Sequence, residues 1–134
     1  MKILITGAAG FIGQIVTKAL LGDTGHELIL ADVIEPPPTQ GSKNHQDVTL
    51  VKVDLVECSE TVVHKDLDCA ILLHGVMSSA AEANFELGYR VNVDATRRLL
   101  ENLAKSCPGI RVLYASSEAV YGSPVPKRGV TERD

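Results

Sequence analysis

Apolar positions along the chain fall into two alternating patterns. Short, nearly unbroken apolar runs occur at "KILIT" (2–6), "ELILADV" (27–33), "TLVKVDL" (49–55), "CAILLHG" (69–75) and "IRVLYASS" (110–117). Each reads as a strand, and unbroken rather than alternating hydrophobicity points to strands covered on both faces. Between them, "FIGQIVTKALL" (11–21) sets Ile12, Ile15, Val16, Ala19 and Leu20 at helical spacing, closed by Gly22. The stretch 80–107 predicts one long helix, with Phe85, Tyr89, Val93, Thr96, Leu99, Leu100 and Leu103 among its apolar positions. A short helix is expected over 59–68 with Ser59 as its cap. "EPPPTQGSKNHQD" (35–47) predicts a surface loop, because its three prolines remove donors and fix φ. Pro124 and Pro126 open a polar tail.

Strands alternating with crossovers imply an α/β fold: a doubly wound parallel sheet of the Rossmann type with about five strands. Ligands of such sheets lie at the carboxyl ends of the strands. Those ends carry Thr6 to Gly13, Asp32, Asp54, His74 to Ser79, and Ser116 with Ser117. All candidate chemistry therefore falls on one edge of one sheet.

Composition sharpens this picture. The length of 134 residues suits one domain, 1–134. With no tryptophan and only 4% aromatics, the core must be aliphatic. A net charge of -4 argues against nucleic acid or an anionic membrane as partner. The 3 cysteines are dispersed and form no CxxC, which predicts reduced thiols, no metal site and a cytoplasmic protein. Gly7, Gly10, Gly13 and Lys18 interrupt the apolar N-terminus, which argues against a leader or a span of about 20 apolar residues.

"TGAAGFIG" joins the first strand to the first helix. Gly7 permits a tight turn, Gly10 lets backbone amides approach a diphosphate, and Gly13 lets helix and strand pack closely. The helix N-terminus adds free N–H groups and partial positive charge. Asp32 stands at the end of the second strand, where a carboxylate accepts hydrogen bonds from ribose hydroxyls and repels a 2′-phosphate, so NAD is expected over NADP. Asp54 would reach the adenine side from the third strand. S-adenosylmethionine is the rival ligand for such a turn, less favoured by the glycine spacing.

These residues resemble the extended short-chain dehydrogenase/reductase family. Its TGxxGxxG turn is matched by Thr6, Gly7, Gly10 and Gly13, its adenine-side aspartate by Asp54, and its NVxGT segment by Asn92, Val93 and Thr96 with Ala95 replacing the glycine. "SSEAVYG" resembles the segment that supplies the catalytic serine, here Ser117. "HGVMSSAAEANFELGYRVNVD" is similar to the branch of sugar-acid dehydrogenases that includes D-erythronate dehydrogenase. The resemblance implies NAD contacts from Gly7, Gly10, Phe11, Ile12, Gly13, Asp32, Asp54, Leu55, Leu73, His74, Gly75, Asn92 and Ala115. It further implies a small sugar acid or sugar nucleotide as substrate, and a homo-oligomer, with pairing through helix 80–107.

Two departures stand out. Where the family has an HxAA-like motif after its fourth strand, this chain has Leu72, Leu73, His74 and Gly75. The family's YxxxK pair, in which lysine lowers the pKa of a proton-transferring tyrosine, has no counterpart. Tyr121 and Lys127 are too far apart, and Pro124 and Pro126 forbid a helix between them. The sequence is thus expected to be the N-terminal, cofactor-binding part of a longer NAD-dependent dehydrogenase, truncated before its substrate-binding part. A nucleotide-sugar epimerase or dehydratase and a non-catalytic dinucleotide-binding regulator are the alternatives.

Overall fold

The structure, a computed structural model, describes residues 1–23, 25–37, 47–122, 124 and 128–133. Its elements in chain order are β1 (Lys2–Thr6), α1 (Phe11–Gly22), β2 (Glu27–Asp32), β3 (Val48–Lys52), α2 (Leu55–Cys58) with a 3₁₀ turn (Ser59–Val62), and β4 (Cys69–Leu72). Then come α3 (Ser78–Ala83), α4 (Phe85–Tyr89), a π turn (Arg90–Ala95), α5 (Thr96–Ser106), β5 (Arg111–Tyr114) and a last 3₁₀ turn (Glu118–Tyr121). The strands form one parallel sheet in the order β3-β2-β1-β4-β5. The chain builds outward from β1 on one side, then crosses to the other, so a crevice opens beyond the ends of β1 and β4. Register brings Thr6 level with Ala31 on β2 and Leu72 on β4, which aligns the carboxyl ends.

Alternate residues of the central strands feed two cores. Leu4, Ile29, Ala31, Ala70 and Leu72 pack with Val62, Leu99 and Leu103 on one face. Ile3, Ile5, Leu28, Leu30 and Cys69 pack with Val16, Leu20 and Leu21 of α1 on the other. The expectation of strands covered on both faces thus holds for β1, β2 and β4. It fails for the two edge strands: all four residues of β5 are exposed, and none of the five in β3 is buried.

Two helices differ from their expected form. The one placed at 59–68 starts at Leu55, and its cap is Asp54, whose Oδ1 accepts the Val56 N–H at 2.9 Å. Ser59 is instead buried and bonded to Asn102 Nδ2. The long helix 80–107 is interrupted at Asn84, where φ is -140° and ψ 87°; the Asn84 side chain caps α4 by accepting from Leu87 N–H at 3.0 Å. Gly88 lets α3 fold against α4, since a Cβ there would stand 2.7 Å from Ala81 Cβ. Periodicity misses this break because asparagine occupies a polar helical position as readily as it caps. Of the loop expected at 35–47, residues 38–46 lie outside the described residues, as does Lys127.

Candidate functional site

A cleft of about 550 Å³ lies at the carboxyl edge of the sheet. Its floor is the turn after β1. Gly7 adopts φ +67°, and a Cβ there would lie 2.6 Å from the Leu73 carbonyl carbon, so any side chain would collide with backbone. A Cβ on Gly13 would overlap the Gly7 carbonyl oxygen and Ala8, which is the close helix–strand packing expected of the third glycine. Gly10 is the N-cap of α1 and lines the cleft. No side chain caps α1, and the first helical bond runs from Gln14 N–H to Gly10 O at 3.0 Å. The amides of Phe11, Ile12 and Gly13 precede that bond and so have no helical acceptor. Their partial positive charge remains at the mouth of the turn.

The acidic residues flank this turn. Asp32 lines the cleft, and its Oδ2 accepts the Ala9 N–H at 3.0 Å while Oδ1 accepts the Ile34 N–H at 3.3 Å. It therefore holds the glycine turn as well as facing the cleft, and each oxygen keeps a lone pair for a ligand hydroxyl. Asp54 lines the same wall with Leu55, one of its oxygens engaged as the cap of α2. No lysine or arginine lines the cleft among the described residues. An anion held here must rest on backbone amides and the helix terminus.

The opposite wall comes from the segment after β4 and from the π turn. Leu73, His74 and Gly75 line it together with Leu87, Val91 and Ala95. His74 Nδ1 is 2.7 Å from Thr6 Oγ1 and its Nε2 is 3.1 Å from Thr96 Oγ1. Burial pushes its pKa below the usual histidine value, against an opposing pull from the Asp32 carboxylate. Asn92 Oδ1 accepts the Val76 N–H at 2.7 Å and its Nδ2 donates to Val76 O at 3.0 Å. Its amide thus fastens the segment after β4 rather than lining the cleft.

The geometry brings together Gly7, Gly10, Asp32, Asp54, Leu55, Leu73, His74 and Gly75. Phe11 and Ile12 stand with exposed side chains outside the cleft lining. Ala115 extends the β4–β5 pairing through its N–H to Leu72 O at 3.1 Å, also outside the lining. Ser117 sits past the end of β5, exposed, with Oγ accepting the Ala119 N–H at 3.2 Å. Its hydroxyl proton is left to donate. Sequence reasoning missed Val33, Ile34, Val53, Val56, Leu87, Val91 and Ala95 in the lining. The apolar pair directly after Asp32 was the available signal for the first two. Among the described residues no cluster could hold a metal ion, and no helix is long and apolar enough to cross a membrane.

Comparison with known proteins bears on this cleft. The profile of the "NAD dependent epimerase/dehydratase family" matches residues 3–134. This chain belongs to that family. The family is part of the short-chain dehydrogenase/reductase superfamily, and NAD is its cofactor. A D-erythronate dehydrogenase of Cupriavidus necator is 37% identical over 138 residues, covering 94% of this chain and 41% of that protein. The structure of a nucleoside-diphosphate-sugar epimerase from Agrobacterium tumefaciens superposes with a TM-score of 0.83 at 33% identity, over 94% of this chain and 40% of the other. A short-chain dehydrogenase/reductase superfamily protein from the same organism, with bound NAD, gives 0.72 at 28% identity over 95% and 36%. The chain spans about two fifths of the length of the curated relatives it matches. The fit to the cofactor is seen in this chain's own atoms: a tight turn at Gly7 with no room for a side chain, uncapped amides, and carboxylates flanking them.

Proposed function

We propose that residues 1–134 form the cofactor-binding domain of an NAD-dependent oxidoreductase acting in the cytoplasm on a hydroxyl or carbonyl of a sugar acid or sugar nucleotide. The observation that carries this is the bare glycine turn: uncapped amides at α1, carboxylates on its flanks, and, among the described residues, no basic side chain in the cleft wall. Bound NAD supplies the hydride acceptor or donor. The chain's part is to seat the diphosphate on the amides of the turn, to hold ribose hydroxyls on Asp32, and to enclose the adenine end beside Asp54 and Leu55. Gly75 keeps the far end of the cleft low. Ser117, its hydroxyl proton uncommitted, would orient the reacting oxygen of the substrate. D-erythronate dehydrogenase relatives favour a sugar acid; epimerase relatives keep the sugar-nucleotide option, since both reactions begin with the same hydride step. Pairing of two copies through Phe85, Tyr89 and Val93, all exposed, belongs to the same reading.

A second reading, a dinucleotide-binding module without chemistry, is favoured by one feature: Ser117 serves as a local cap, its Oγ accepting the Ala119 N–H. Titration with NAD, NADP and S-adenosylmethionine tests the cleft. NAD should bind, NADP more weakly and S-adenosylmethionine not at all; equal affinity for the two dinucleotides would refute the role of Asp32. Joining the chain to a segment bearing YxxxK separates the two readings, because only the oxidoreductase reading expects NADH to form from a sugar acid.

A further inference from the structure

We propose that His74 is a positioning residue for the cofactor: its ring ties the end of β1 to the start of α5, and so fixes the spacing of the two walls between which a nucleotide lies. This rests on the reading of the cleft as a dinucleotide site. The tie spans three separate parts of the chain. Thr6 is the residue before the Gly7 turn and is fully buried, His74 follows β4, and Thr96 is the first residue of α5. One ring nitrogen meets each hydroxyl, at 2.7 and 3.1 Å. A neutral imidazole offers one donor and one acceptor, and a hydroxyl can serve as either, so both contacts are satisfied without charge. The π turn makes the reach possible from the other side. It places Asn92 on Val76 and, four residues on, Thr96 on His74, so two successive residues of one helical face grip one strand end. Val91 and Ala95, each directly before one of those anchors, line the cleft. The position of that wall therefore depends on the grip.

The chemistry gives the tie a signature. Among the described residues Asp32 is the charged group whose field reaches the ring; β1 and α5 present the Thr6 and Thr96 hydroxyls, and Arg90 of the π turn is paired with Glu57. Burial already outweighs Asp32 and favours the neutral ring. A nucleotide laid against the exposed edge of the ring removes its remaining water and favours the neutral form further. Where this desolvation outweighs the pull of the diphosphate charge on the ring, proton uptake at His74 and NAD binding oppose one another, each weakening the other by the same factor.

The test measures NAD affinity of the 134-residue chain at about pH 5.5 and about pH 7.5, in the unmodified protein and in His74→Gln, His74→Ala and Thr96→Val. At the higher pH, His74→Ala should weaken binding by about tenfold, the usual effect of orphaning a buried hydrogen-bonding group. Glutamine, which supplies one donor and one acceptor but does not titrate, should restore most of that loss. The unmodified chain should bind more weakly at the lower pH, and His74→Gln should show a flatter profile. Imidazole nitrogen shifts of His74 in the free chain should report one neutral tautomer that Thr96→Val disturbs. NAD binding that is indifferent to His74→Ala, or a pH profile that survives His74→Gln unchanged, overturns this inference and leaves the dinucleotide reading standing. Failure of the unmodified chain to bind NAD at either pH overturns both.

Discussion

Gly7 and Asp32 show how single residues shape the site before any ligand arrives. Alanine at Gly7 must adopt a left-handed backbone and also meet the Leu73 carbonyl. Gly7→Ala is expected to cost more than about 2 kcal/mol of stability and to abolish NAD binding, measurable by chemical denaturation and titration. Gly75→Ala offers a contrast, since its Cβ would lie 3.3 Å from Asn92 Oδ1, a side-chain atom rather than backbone, and would press on the clip to Val76 instead of on the turn. Asp32 acts twice, on a ligand hydroxyl and on the Ala9 N–H. Asp32→Ala should narrow the preference for NAD over NADP and weaken both, because the turn itself loosens; an unchanged NADP affinity with weaker NAD would limit Asp32 to ribose contact alone. His74 also enters stability. The unfolded chain takes up a proton near the ordinary value of 6.5, the folded chain only below it. Between those values the unfolded state binds more protons, so stability falls as pH drops below 6.5. Thermal melts of His74→Gln should show less of this decline.

Among the elements, the segment from α3 to α5 is the least regular and the closest to the site. A single straight helix over 80–107 would carry Asn92 and Thr96 on one face but could not send α3 across α4. The break at Asn84 makes that crossing possible, and the wide turn at Arg90–Ala95 carries Asn92. Asn92→Ala removes both bonds to Val76 and orphans its N–H and carbonyl. A loss of about 2 kcal/mol is expected, with faster amide exchange at Val76 as the local readout. Asp54 is the corresponding anchor of α2. Asp54→Ala should cost about 1 kcal/mol through its cap alone, so a loss of NAD affinity larger than that of stability is needed to credit it with a ligand contact. The glycine turn, the strand-end acids and the two amphipathic faces were legible because each follows a local rule. The break at Asn84 was not, since capping and helix continuation look alike in one polar residue.

Across the molecule, burial is uneven. β1, β2 and β4 are sealed on both faces, whereas Val112, Leu113 and Tyr114 of β5 are all exposed, with Val120 and Tyr121 beyond them. Parallel sheets are stable when covered, and an apolar strand at an open edge invites association. The 134-residue chain is expected to bind a hydrophobic dye and to self-associate with concentration in sedimentation experiments. Leu113→Lys should reduce both while leaving NAD binding intact, because Leu113 lies outside the cleft. The ion cluster at the amino edge, Lys2 with Asp66 and Glu27, sits on the opposite side of the sheet from the site and ties the N-terminus down.

From residue order alone came the alternation of strands and helices, the parallel sheet, the glycine turn and the common edge of the candidate residues. These depend on periodicity and on backbone rules that act within a few positions. Folding in three dimensions selected which candidates share a cleft, converted Asn92 into a clip on Val76 and Asp54 into a cap, and closed Thr6, His74 and Thr96 into one tie. The Asn92 clip and the Thr6–His74–Thr96 tie rest on hydrogen bonds between residues 16 to 68 positions apart, and the direction of a side chain across such a separation is set by packing rather than by neighbours in the chain; only the Asp54 cap is local.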